Sequence, residues 1–333
     1  MQSGWTGETG RWKQMLAGGG LLLALTATAE AATYYVDRNL TTDCTAGNYS
    51  IANRNCSGAN GKAWSTIQEA VNVVVPGDTV FVRGGVYAGF AKSSLQGTAA
   101  APITFRTYPG EHVTLDTKGG CYGILLQGVA AYLVFDGFEI TNTDPDVDWA
   151  RGLDLTNATD LAAYLAWRSV PANKDKERCN MGVRMSGSTA ANHLIFRNME
   201  IHNLFETGFS GSIDFGQFLN NHVHELVFGY GWYTNGDSNV ARGNRVHHNQ
   251  YGFHNRTGWT NAVVENNIIY NNYGSQWCCG SDADRVATGG AGYWTAAPAT
   301  NTVFRNNVIF NHPIGYGGLS LHPGSGARVY NNT

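Results

Sequence analysis

A short motif returns through the second half of the chain, in Arg197-Asn198-Met199-Glu200-Ile201-His202-Asn203, Leu219-Asn220-Asn221-His222-Val223-His224, Arg242-Gly243-Asn244-Arg245-Val246-His247, Glu265-Asn266-Asn267-Ile268-Ile269-Tyr270 and Arg305-Asn306-Asn307-Val308-Ile309-Phe310. Its apolar anchors Ile201, Val223, Val246, Ile269 and Ile309 are 22, 23, 23 and 40 residues apart, and Ile140 opens the series. A period in this range specifies a solenoid. A leucine-rich repeat would require Leu-x-x-Leu-x-Leu spacing and a helical return. Here apolar and polar positions alternate, and the fixed position is an asparagine between two short strands. The expected fold is therefore all-β, a parallel β-helix of three short strands per rung. Asn221, Asn244, Asn267, Asn307 and Asn332 turn inward as a hydrogen-bonded ladder. Asparagine also serves as a turn former that tolerates the left-handed region; the strict register favours the ladder.

Composition agrees with a turn-rich β protein. The 333 residues include 42 glycines against 8 prolines, and only 14% are charged, which excludes a disordered chain and a helical bundle. A net charge of −3 without a basic block excludes nucleic acid as partner. Arg11 and Lys13 precede an apolar stretch from Met15 to Ala27 and the small-x-small triplet Ala29-Glu30-Ala31. Residues 1–31 are thus expected to be a signal peptide, with no membrane span and a secreted, extracellular or periplasmic, monomeric product. Residues 32–115 are expected to form an N-terminal cap and first rungs, and 116–333 the β-helix, stopping short of its last rung. The six cysteines suit an oxidising compartment. Cys44–Cys56 closes a short loop, Cys121 pairs with Cys179 if the intervening insertion loops out, and Cys278 and Cys279 are left over.

Trp64 to Val75 reads as an amphipathic helix that closes the open end of the stack, with Ile67, Ala70, Val71 and Val74 on one side. Thr33-Tyr34-Tyr35-Val36-Asp37, Trp64-Ser65-Thr66-Ile67-Gln68-Glu69-Ala70, Pro76-Gly77-Asp78-Thr79-Val80-Phe81-Val82-Arg83-Gly84-Gly85-Val86-Tyr87 and Pro102-Ile103-Thr104-Phe105-Arg106-Thr107-Tyr108-Pro109-Gly110-Glu111 resemble the opening of secreted right-handed parallel β-helix proteins of the pectate-lyase-like superfamily, especially relatives of polysaccharide lyase families six and nine. The resemblance implies a right-handed coil and a calcium-assisted lyase chemistry. Its catalytic signature is not matched: no lysine follows Lys176.

Further strands begin with glycine at Gly123, Gly182, Gly252 and Gly318. Alternation turns Val183, Met185, Phe253, Leu319 and Leu321 inward and Arg184, His254, Arg256, Ser320 and His322 outward on one sheet. Two insertions, Asn142 to Cys179 and Tyr273 to Asn301, enter just before such strands and are expected to wall that sheet into a cleft. The first carries Asp144, Asp146 and Asp148, spaced for calcium. The second carries Trp277 and Trp294, suited to stacking on sugars. Asp214 and Asp237, one period apart, are expected to stack as a cation site or an acid/base pair.

The leading expectation is β-elimination on an acidic, uronate-containing polysaccharide, with His254 as base and Arg184 and Arg256 beside it. A glycoside hydrolase using Asp214 and Asp237 and a non-catalytic carbohydrate-binding or surface solenoid are the alternatives.

Overall fold

A computed structural model describes residues 31–155, 157–187, 191–255, 258–272, 290–295, 298–312, 315–322 and 324–333. From Thr33 onward the chain winds through parallel strands that stack rung on rung into three faces. One rung shows the pattern: Phe209–Asp214 on the first face, Gln217–Leu219 on the second and His222–His224 on the third. The next rung repeats it with Tyr230–Asp237, Val240–Arg242 and Arg245–His247.

Each face sends one apolar column into the core. Phe90, Ile124, Val183, Phe209, Trp232 and Phe253 are in register on the first face. On the second face, Phe105, Phe135, Phe196 and Phe218 stack with ring centroids 5.4–5.7 Å apart, near the spacing of adjacent parallel strands. On the third face the column Leu115, Ile140, Ile201, Val223, Val246, Ile269, Ile309 contains the expected repeat anchors, all buried except Ile309, which is partly buried.

The asparagine ladder runs as expected at the corner between second and third faces. Asn221 Nδ2 donates to Asn244 Oδ1 at 3.0 Å, and Asn244 to Asn267, Asn267 to Asn307 and Asn307 to Asn332 follow at 2.8–2.9 Å. The residue before each ladder asparagine has a positive φ: Asn220 at 55°, Gly243 at 70°, Asn266 at 57°, Asn306 at 56° and Asn331 at 54°. Both roles of asparagine are therefore present, on adjacent residues. At the corner between third and first faces glycine is required by close approach. A Cβ on Gly208 would lie 2.6 Å from the Gly231 carbonyl oxygen and 2.8 Å from Val223 Cγ1.

Helix α1, Ile67–Val73, carries a capping box between Thr66 and Glu69. It buries Ile67, Ala70 and Val71 in the same core as the first strands. The first insertion is helical: α2 (Pro145–Arg151), α3 (Ala158–Arg168) and α4 (Pro171–Cys179). Val147, Ala150, Leu155 and Tyr164 form a satellite core on Phe205 and Phe228, in the turns that lead into the first face. Disulfides join Cys44 to Cys56 and Cys121 to Cys179, with Cα atoms 5.2 and 4.5 Å apart, as expected. Cys278 and Cys279 lie outside the described residues.

Candidate functional site

The glycine-led strands form the first face, and their outward column is fixed by register. Arg184 of Met181–Ser186 pairs with Ser210 of Phe209–Asp214, Ser210 with Tyr233 of Tyr230–Asp237, and Tyr233 with His254 of Tyr251–Asn255. Trp294 and Ser320 continue the column on the next two rungs. Arg184 and His254 are three rungs apart, roughly 14 Å at the spacing of parallel strands. That is too far for both to touch one reacting atom, and suited to neighbouring units of an extended ligand.

Arg184 is half-buried and its Nη1 donates to Ser210 Oγ at 2.7 Å. It lines a cleft of about 220 Å³ with Ser186 and Ser212 at the strand ends leading to the second face. His254 takes its place in the column but is only 3% exposed. The rings of Tyr230, Tyr233 and Tyr251 surround it with centroids 4.7, 5.0 and 5.6 Å away. Burial raises the Tyr230 phenol, with Glu206 adding to the shift. Tyr233 keeps partial exposure and is the column's accessible neighbour of His254. Ser210 and Tyr233 carry no motif of their own in the sequence; carrying the outward position of Arg184 along the repeat period finds them.

Residues 174–333 match the family described as right handed beta helix region. The chain folds as a right-handed parallel β-helix. Upstream of residue 174 the second face continues to Thr33, the third to Gly85 and the first to Phe90, in agreement with the resemblance of the chain's opening. No curated protein matches the chain. Among solved structures the β-helix is similar to the pectate lyase Pel9A, with 17% identity, a TM-score of 0.49, and coverage of 91% of this chain and 70% of that one. It is also similar to an alginate lyase from Paenibacillus sp. str. FPU-7 (15% identity, TM-score 0.37, coverage 78% and 96%) and to a rhamnogalacturonan lyase (11%, 0.45, 91% and 88%).

Other expected site residues are placed differently in the β-helix. Asp214 and Asp237 do stack: the Asp237 amide donates to Asp214 Oδ1 at 2.8 Å. The Asp237 carboxylate accepts from Ser238 Oγ, Thr260 Oγ1 and Asn261 Nδ2 at 2.6–2.7 Å, and these bonds hold its carboxyl below the usual range. It is engaged at a turn, which favours a structural role over an acid/base pair. Asp144 is the N-cap of α2 and accepts from the Asp146 amide. The Lys176 ammonium on α4 lies 2.9 Å from Asp144 and 2.8 Å from Asp146, while Asp148 pairs with Arg151. Burial would raise the Asp144 carboxyl; the Lys176 and Asp146 hydrogen bonds outweigh it and lower it. Among the described residues these aspartates form no group of three within metal-ligating reach. The expected calcium loop is instead a capped helix start braced by a lysine. His322 is exposed just beyond the strand Gly315–Ser320. Arg256 and Trp277 lie outside the described residues, as does the Trp294 side chain.

The α2–α4 insertion stands at the edge where strands enter the first face, as expected. The Arg184 cleft opens at the other end of those strands and is lined by the sheet and its turns. No helix among the described residues is long and apolar enough to cross a membrane.

Proposed function

We propose that the protein is a secreted carbohydrate-active β-helix that lays an acidic polysaccharide along the first face and cleaves it by β-elimination. The observation that carries this reading is the in-register column Arg184, Ser210, Tyr233, His254. It sets a partly exposed guanidinium, a buried hydroxyl, a partly exposed phenol and a buried imidazole at rung spacing, a linear array for a linear polymer. Arg184 holds the carboxylate of a unit three rungs away and so sets the register of the polymer along the face. His254 takes the proton beside the carboxylate of the unit it faces, and the electron pair expels the 4-oxygen of that ring, leaving an unsaturated uronate. Tyr233 beside it returns a proton to the departing oxygen. Ligand binding has to part the tyrosines around His254. Export fits the two disulfides and the N-terminal segment read as a signal peptide.

Pectate, alginate and chondroitin, each incubated with the protein in calcium or in chelator, test the reading. Unsaturated uronate products support it, and their dependence on calcium tests the expected cofactor. New reducing ends without unsaturation would point to a hydrolase, and binding without products to a non-catalytic solenoid. Arg184→Ala should weaken binding by about 1.5–3 kcal/mol, while His254→Ala should lower kcat more than it raises KM.

A further inference from the structure

The third face carries a constellation that the polysaccharide reading leaves unused. Alternation about the buried anchors Ile201, Val223 and Val246 turns His202, His222, His224 and His247 outward. His202, His224 and His247 form one column on successive rungs, with ring centroids 5.0 Å apart at each step. Glu200 and His222 stand in the neighbouring column, the His222 ring 4.1 Å from that of His224. One ring nitrogen from each of His222, His224 and His247 lies within 4.8 Å of the other two. His222 Nε2 and His247 Nε2 are 2.8 Å apart. Glu200 Oε1 is 3.2 Å from His224 Nε2 and 3.3 Å from His222 Nδ1.

We propose that His222, His224 and His247 form a binding site for one divalent transition metal ion of the zinc class, with the Glu200 carboxylate beside it against His224 and His222. Three ligand atoms within 4.8 Å of each other leave a centre roughly 2.8 Å or less from each, so shifts below about 1 Å reach the 2.0–2.1 Å of a zinc–imidazole bond. His247 is buried, and His222 and His224 are partly buried. His247 Nδ1 faces His248 Nδ1, which leaves Nε2 for the ion. Three imidazoles suit zinc rather than calcium. Stacking alone would not select histidine, because the same column continues with Tyr270 and Phe310, stacked at 5.1 Å. The sequence changes to histidine beside Glu200. The ion would tie together two successive rungs, that of His222 and His224 and that of His247, independently of any polysaccharide on the first face.

Chelator-stripped protein titrated with Zn(II) in a calorimeter, and with Co(II) in a spectrophotometer, tests the site. The expected result is one ion per chain, visible absorption bands of four-coordinate Co(II), and a raised melting temperature. His222→Gln/His247→Gln should weaken affinity more than about 100-fold, since loss of a mere supporting contact already costs about 10–100-fold. The Asp144→Asn/Asp146→Asn variant should bind like the parent. Where the double histidine variant does not fold, His222→Gln alone gives the comparison. Absence of stoichiometric binding, or equal affinity in parent and histidine variants, overturns the proposal.

Discussion

Asn266 and Asn267 are adjacent and do different work. Asn266 is exposed with φ at 57°, a conformation that most side chains resist by about 1–2 kcal/mol. Asn267 is buried and links Asn244 to Asn307. Asn267→Ala should therefore destabilise by roughly 1–3 kcal/mol through unsatisfied amides on both sides. Asn266→Gly should be nearly neutral, and Asn266→Val should cost about as much as the left-handed penalty. Urea unfolding of the three variants checks this; equal losses for Asn267→Ala and Asn266→Gly would contradict it. The ladder was legible because its period is strict, whereas the division of labour between the two asparagines depends on φ. Burial was less legible for single polar residues. Gln250, which reads as exposed in sequence, is 1% exposed and belongs to the interior. His254 occupies the expected column, yet its tyrosine surround arises from the neighbouring rung and from Tyr251 on its own strand.

At the scale of elements, the short second-face strands are braced by charge. Glu265 on Val263–Glu265 accepts from Arg242 on the rung before and from Arg305 on the rung after. Burial would raise its carboxyl, but the hydrogen bonds from Arg305 and Arg242 outweigh it and hold the carboxyl below its usual value. A depressed folded-state pKa contributes stability above the unfolded value of about 4.3, and that contribution is lost as pH falls through the lower folded-state value. Glu265→Gln should thus be less stable than the parent at pH 7 by about 1–2 kcal/mol, since both arginines are largely exposed. The gap should narrow steadily below about pH 4. Melting curves from pH 7 to pH 3 read both, and a gap independent of pH would sink the argument. The insertion Asn142 to Cys179 was legible as an interruption of the period, and its helical content was not drawn from it. The signals were local: Asp144-Pro145 and Val170-Pro171 each place proline at a helix start. Lys176 meeting Asp144 and Asp146 is a consequence of packing α4 against α2, which no spacing reveals.

For the whole β-helix, period and alternation together fix which residues share a face, and this is why Arg184 and His254 could be assigned to one column from sequence. The same alternation applied to Val223 and Val246 would have turned His222, His224 and His247 outward on the third face. In the sequence they stand only as members of the repeat, since no motif of metal-ligand spacing joins them along the chain. Of the second insertion, residues 273–289, with Trp277, lie outside the described residues, whereas Gly290–Thr295 is a first-face strand rather than part of a loop. The central claim is that a linear acidic ligand runs along the first face across several rungs. Calorimetric affinity for uronate oligosaccharides of increasing length, with parent and Arg184→Ala, tests it most directly. Affinity should climb with each added unit until the oligomer spans Arg184 to His254, roughly 14 Å, then level off, and Arg184→Ala should lower it about tenfold or more for every oligomer that reaches that rung, the equivalent of about 1.4 kcal/mol. A monosaccharide binding as tightly as the long oligomers, or an Arg184→Ala variant indistinguishable from the parent, would contradict it.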